Sequence, residues 1–150
     1  RVVVLGAGGA ARSIIDALGR SGASDVVVVN RSAANARVAA ALAPQGRVGS
    51  SADIAAADVV VNATSVGMGS GECPLDPALL HPGLVVADIV YHPLETSLLR
   101  AARALGASTV DGLGMLVHQA ARQQQLWTGV GPDPAVIRAA AAAELALRDP

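Results

Sequence analysis

The chain has 150 residues, a net charge of −1, and 52% hydrophobic but only 1% aromatic side chains. That is enough chain for one domain, and its core must be Val, Leu, Ile and Ala, which suits parallel strands covered on both faces by helices. The charge balance, with no basic block, argues against nucleic acid; the lone Cys73 excludes an internal disulfide and fits a reducing, cytoplasmic setting; no apolar run reaches the ~18 residues of a membrane span.

The chain opens on Val2-Val3-Val4-Leu5, a β-branched strand, then turns through Gly6-Ala7-Gly8-Gly9 into a helix of small residues at 10–20. A strand that passes through such a turn into a helix points free backbone N–H groups and the helix dipole at an anion. Gly6 permits the turn, Gly8 lets a pyrophosphate approach, and Ala11 stands where Gly or Ala lets helix and strand pack closely. With a second strand near Val26, this is the fingerprint of a dinucleotide site, with Gly6, Ala7, Gly8, Gly9 and Ala10 around the pyrophosphate. A plain turn that needed glycine is the competing reading.

The second strand spans 25–30, and Ser32 caps a helix over 33–43 that stops at Pro44. A short third strand is expected at 47–49, helical turns at 51–54 and a fourth strand at 58–62. Residues 63–82 form a long loop, of the kind that usually carries function in a compact domain. A fifth strand at 84–88 is followed by an amphipathic helix at 95–105 closed by Gly106, and a sixth strand at 107–110 by a helix at 113–128. Asp133 caps and Pro134 opens a last Ala-rich helix over 133–148. This alternation predicts an α/β fold: a doubly wound, Rossmann-type parallel sheet of about six strands in a three-layer α/β/α arrangement, with ligands at the carboxyl ends of the strands.

Those ends carry the informative residues. The second strand ends in Asn30-Arg31-Ser32, where an NAD site usually has a carboxylate for the ribose hydroxyl. A neutral Asn, a cationic Arg31 and the Ser32 hydroxyl suit a 2′-phosphate and point to NADP. Arg37 lies one and a half helical turns further on. The fourth strand runs into Asn62-Ala63-Thr64-Ser65, whose polar groups either meet the cofactor or stitch the loop together. The fifth ends in Asp88-Ile89-Val90-Tyr91-His92-Pro93. There Ile89 offers an apolar wall for a nicotinamide ring, and Tyr91, the only tyrosine, is either packed or a substrate contact. The sixth leads through Gly112 and Gly114 to His118 and Gln119, which lie ~100° apart on a helix and so cannot both face one site. Met68 and Met115 flank the expected pocket, where ordinary packing explains them equally well. Trp127 is expected to pack the helix end, residues 123–125 to form a polar helix face, and Cys73 to be inert. No metal site is expected.

Residues 6–11, 30–32, 62–68, 88–93 and 111–119, in this order and spacing, resemble the C-terminal, NADP-binding domain of shikimate dehydrogenases, nearly end to end. The resemblance implies a two-domain enzyme of aromatic biosynthesis that reduces 3-dehydroshikimate to shikimate with NADPH. It implies that Asn30, Arg31 and Ser32 lie at the 2′-phosphate and that Asn62, Ala63, Thr64 and Ser65 line the cofactor site. Ile89 and the Gly112 backbone would hold the nicotinamide, while Tyr91 and Gln119 would touch substrate, which selects Gln119 over His118. The last helix would pack on an N-terminal substrate domain that lies outside this chain. The start at Arg1, inside the first strand, also suggests a piece of a longer protein. All 11 basic residues are Arg, so the family's catalytic Lys–Asp pair, which belongs to that other domain, has no counterpart here. Many NADP-using members carry a second Arg where this chain has Asn35, which leaves NAD open. The other readings are a quinate/shikimate dehydrogenase using NAD and a non-catalytic dinucleotide-sensing module. A homodimer is compatible with the sequence, which does not speak to oligomeric state.

Overall fold

The computed structural model describes residues 1–147. Six strands, Val2–Leu5 (β1), Val26–Val29 (β2), Gly46–Val48 (β3), Val59–Asn62 (β4), Val85–Asp88 (β5) and Ser108–Val110 (β6), form one parallel sheet in the order β3-β2-β1-β4-β5-β6. The helices are Gly9–Arg20 (α1), Ala33–Ala40 (α2), Ser97–Ala104 (α3), Leu113–Thr128 (α4) and Pro134–Ala146 (α5), with short 3-10 turns at Ser51–Ala56 and Pro77–Leu79.

Strand alternation divides the valine runs between two cores. Val2, Val4, Val26 and Val28 face α1 and α2, packing against Ala11, Ile15, Ala36, Ala39 and Ala40. Val3, Leu5, Val27, Val60 and Val86 face the other way, onto Ile54, Leu80 and the α3 residues Leu98, Leu99 and Ala102. Burying each valine is worth roughly 1.5–3 kcal/mol, so the central strands hold the sheet with almost no aromatic contribution. This is the expected α/β/α arrangement.

The parallel register sets Leu5 beside Val29 and Asn62, and Asn62 beside Asp88. Four strands therefore end on one row. The next residues, Gly6, Asn30, Ala63 and Ile89, form a second row beyond it. Three further hydrogen bonds tie this second row to the sheet: Gly6 N to Val29 O, Ala63 N to Leu5 O and Ile89 N to Asn62 O, at 2.8, 2.9 and 3.0 Å. Because β1 lies between β2 and β4, the connections leave β1 in opposite directions and open a crevice at this edge.

Several boundaries differ from expectation. The second helix ends at Ala40 rather than 43, because the N–H groups of Leu42 and Ala43 bond three residues back, to Ala39 and Ala40, and tighten the chain ahead of Pro44. The third strand is set one residue earlier than expected. α3 begins at Ser97, not 95, since the Thr96 hydroxyl accepts from Leu99 N and caps it. α4 spans the expected 113–128, and Asp133 caps α5 with Pro134 in its first turn. Of the expected helix 133–148, residue 148 lies outside the described residues.

α5 folds back onto α4: Ile137, Ala141, Ala142 and Leu145 pack with Leu113, Leu116, Val117 and Leu94. Trp127 does not pack the helix end. It is 79% exposed, because α5 lies against the Leu113–Val117 side of α4 and nothing among the described residues covers its far end. No helix of the described residues is long and apolar enough to cross a membrane.

Candidate functional site

The row beyond the strand ends is the floor of a cleft. On one side a cavity of about 600 Å³ is lined by Gly6, Ala7, Gly8, Asn30, Arg31, Ala63, Thr64, Ser65, Val66 and Pro74 among others. On the other a cavity of about 330 Å³ is lined by Gly8, Gly9, Ala10, Ala63, Thr64, Ser65, Met68, Ile89, Tyr91, Gly112, Met115, Leu116 and Gln119. The two share Gly8, Ala63, Thr64 and Ser65, so one cleft runs from the tip of β2, over the start of α1, to the start of α4.

The glycine turn is shaped for a bulky anion. Gly6 has φ +108°, and a Cβ there would meet Ala63 O at 2.8 Å, so only glycine fits between β1 and β4. At Gly8 and Gly9 an added Cβ would meet nothing within 4 Å; the space above the turn is open. No side chain caps the first turn of α1. Ser32, Thr96 and Asp133 cap α2, α3 and α5, and at α4, whose N-cap is Gly112, Asp111 from one residue ahead accepts from Leu113 N. The first N–H groups of α1 thus face open space with the helix dipole behind them. This fits a dinucleotide's pyrophosphate.

At the β2 tip, Asn30 Nδ2 donates to Ser32 O at 3.0 Å and shapes the turn. Arg31 lines the cleft, exposed, and forms no ion pair among the described residues. Ser32 does not line it; its hydroxyl accepts from Asn35 N at 3.3 Å as the α2 cap. Arg37 falls in the last turn of α2, away from the cleft end.

Of the two readings open for the Asn62 side chain, the structure takes the loop stitch and not the ligand contact that the family resemblance implied. Its side chain is fully buried and fully used. Nδ2 donates to Val66 O at 3.1 Å and Asp88 Oδ1 at 2.9 Å, while Oδ1 accepts from Thr64 N at 3.1 Å and Thr64 Oγ1 at 2.7 Å. It has no bond left for a ligand. The Thr64 hydroxyl is likewise engaged, accepting from Val66 N at 3.1 Å. Both side chains stitch the loop, and only the Thr64 surface faces the cleft. Behind them lies Asp88, 2% exposed, which sequence reasoning missed as part of the site. It accepts from Asn62, from Val90 N at 3.0 Å and from Thr96 Oγ1 at 2.8 Å. Burial raises its carboxyl above the usual range, opposed by those three hydrogen bonds. This buried chain of polar groups holds residues 63–66 against both halves of the cleft.

At the far end, Gly112 is required by close approach: a Cβ would sit 2.4 Å from Ile89 O. That contact sets the start of α4 against the β5 tip and brings Ile89, Met115 and Leu116 into one apolar wall. Tyr91 and Gln119 add a hydroxyl and an amide to this cavity alongside Thr64 and Ser65 of the shared floor, and His118 is exposed off it. Met68 and Met115, expected to flank the pocket, line this cavity, whereas Leu116, Val66 and Pro74 were missed by sequence reasoning. The methionines stood beside strand-tip motifs, but no motif marks Pro74. Cys73 is partly buried against the core. Among the described residues no cluster of His, Cys, Asp or Glu could hold a metal ion.

A parallel sheet wound both ways from β1, with an open helix terminus and an unpaired guanidinium at its carboxyl edge, defines a Rossmann-type domain with an anion-binding cleft. A family model described as shikimate/quinate 5-dehydrogenase matches residues 1–68, and one described as the shikimate 5′-dehydrogenase C-terminal domain matches residues 112–142. The chain belongs to the shikimate dehydrogenase family. A shikimate dehydrogenase (NADP(+)) of Mesorhizobium japonicum is 47% identical over 150 residues, which cover 95% of this chain and 54% of that protein. The Thermus thermophilus shikimate 5-dehydrogenase, solved with NADP(H) and shikimate, is 38% identical with a TM-score of 0.86–0.88 in two structures; the complex with both covers 95% of this chain and 54% of that one. The Corynebacterium glutamicum quinate dehydrogenase, solved with NAD, is 35% identical with a TM-score of 0.86, covering 98% and 54%. The chain spans about half the length of the curated relatives it matches.

Proposed function

We propose that this chain is the cofactor-binding half of an NADP-dependent shikimate dehydrogenase, which interconverts 3-dehydroshikimate and shikimate once a substrate-binding half completes the cleft. The observation that carries the reading is the cleft itself. It joins an uncapped helix terminus to the unpaired Arg31 at a β2 tip that bears no carboxylate. A carboxylate there would repel a 2′-phosphate; a guanidinium attracts it.

The division of labour follows from the lining. The turn from Gly6 to Ala10 receives the pyrophosphate, Asn30 and Arg31 face the 2′-phosphate, and Ser32 fixes the turn that presents them. Ala63, Thr64 and Ser65 form the middle of the floor, with Asn62 as their support. Ile89, Met115 and Leu116 exclude water from the nicotinamide end, closed by the Gly112 backbone. The bound cofactor supplies the hydride. Tyr91 and Gln119 offer a hydroxyl and an amide to the substrate's hydroxyl groups. Ketone reduction also needs a proton at the oxygen, and the cavity lining holds no acid or histidine to give it. The five most exposed large hydrophobic residues described, Leu126, Trp127, Val130, Val136 and Leu147, all lie on or beside α4 and α5. We assign that face to the substrate-binding half.

Calorimetric titration tests this. The chain should bind NADP more tightly than NAD, Arg31→Gln should remove about tenfold of the NADP affinity and little of the NAD affinity, and the chain alone should not oxidise shikimate. Preference for NAD would reject the role of Arg31 and favour a quinate-type, NAD-using enzyme, a reading that Asn35 keeps in play. Turnover by the chain alone would refute the division into halves.

A further inference from the structure

Arg31 supplies one positive charge, whereas a phosphate monoester near neutral pH carries close to two negative charges. A second guanidinium, which lines neither cavity, is bonded to a residue of the cleft wall. Arg12 lies in the first turn of α1, and its Nε donates to Ala7 O at 3.2 Å, the carbonyl of a residue that lines the β2 side of the cleft. Among the described residues that is the one hydrogen bond of its side chain, which forms no ion pair, so both terminal amino groups remain available.

Its flank of α1 decides where those groups face. Ala10 lines the nicotinamide-side cavity, and Arg12 is ~200° around the helix from it. Gly19, two turns beyond Arg12 and so on nearly the same flank, lies directly against the end of the α2 connection: a Cβ there would sit 2.9 Å from Ala43 Cβ and 3.4 Å from Pro44 Cδ. α1 and α2 pack on the same face of the sheet. Both return from the carboxyl edge of a parallel sheet, so both begin at that edge and run side by side. The first turn of α1 therefore presents Arg12 toward the first turn of α2, where Ser32 and Asn35 stand beside Arg31. The one carboxylate on the Arg12 flank, Asp16, is taken by Arg20.

We propose that Arg12 is the second guanidinium for the 2′-phosphate of NADP, tethered through Ala7 so that its amino groups face the rim that Arg31 occupies. This deepens the reading that the cleft takes NADP and rests on it. It also accounts for the neutral Asn35: the second charge reaches the phosphate from α1 instead of α2.

The test is titration of the chain with NADP, NAD and adenosine 2′,5′-bisphosphate, for the unsubstituted protein, Arg12→Gln and Arg12→Lys, each checked for its melting transition. Arg12→Gln should lose about tenfold in affinity for NADP and for adenosine 2′,5′-bisphosphate, in line with a charge-assisted hydrogen bond at an exposed site, and keep its NAD affinity within about twofold. Arg12→Lys keeps the charge without the fork. It should hold an intermediate preference for NADP, and it supplies the test should the Gln variant not fold. Equal weakening toward NADP and NAD, or no weakening toward either, overturns the assignment while leaving the cleft's occupant intact. Failure of the unsubstituted chain to bind either dinucleotide overturns the NADP reading itself.

Discussion

Asn62 and Asp88 show how a side chain at a strand tip serves a site without touching what binds there. Both stand on the last row of the sheet, sealed beneath residues 63–66; Asn62 spends all its bonding capacity on neighbours, and Asp88 accepts three hydrogen bonds from them. Asp88→Ala would remove the acceptor of one Asn62 amide N–H, of the Val90 N–H and of the Thr96 hydroxyl proton, at about 1–3 kcal/mol for each one left unsatisfied. Asp88→Asn should be far milder, since the amide oxygen can still accept from Asn62 and Val90 N and the Thr96 hydroxyl can accept instead of donate. The raised carboxyl adds a pH signature. The folded chain holds that proton more tightly than the unfolded one, so Asp88 costs stability as pH rises from about 4, and Asp88→Asn should gain on the parent across that range. Denaturant unfolding at pH 4 and pH 7 checks all three statements, and an Asp88→Ala variant as stable as the parent would refute them. The sequence left Asn62 open between a ligand contact and a loop stitch; the register decided it. Gly6, Ala63 and Ile89 were readable because a glycine turn and two buried valine strands announce where the sheet ends. Arg12 was not, because its flank of the helix becomes visible only once Gly19 is seen against Ala43.

At the scale of elements, the valine runs and the Asp133-Pro134 cap were legible almost to the residue. The ends of α2 and α3 were not, since they depend on a tightened turn and on a threonine bonded to a distant carboxylate. The edge strand β3 has little apolar anchorage: its three residues are half-buried or exposed. A clamp compensates, with Arg47 donating to both oxygens of Asp25 at 2.9 and 3.0 Å and to Asp53 at 2.7 Å. Hydrogen bonding by Arg47 lowers the Asp25 carboxyl, and the Ser50 N–H, followed by Arg47, lowers that of Asp53. Such depressed carboxylates stabilise the fold above the unfolded value near ~4 and lose that contribution as pH falls through their folded values. Arg47→Met should therefore weaken the chain at neutral pH and flatten its acid-side loss of stability. An acid limb as steep as the parent's would show that the clamp does not act this way.

For the molecule as a whole, the sheet is sealed on both faces while the α4–α5 hairpin carries its apolar surplus outward. The most telling member of that surplus is Trp127, the only tryptophan in the chain. It stands two turns past Gln119, about 12 Å further along the helix axis, and is largely open to water. The protein thus contains its own optical reporter, set away from the cleft. Ultraviolet emission from the chain alone should peak at the red end typical of a wetted indole and hold its wavelength as NADP is titrated in. On the proposed division into halves, the same ring should emit further to the blue once a substrate-binding half covers it. An unchanged colour there would show that this corner of the hairpin stays bare.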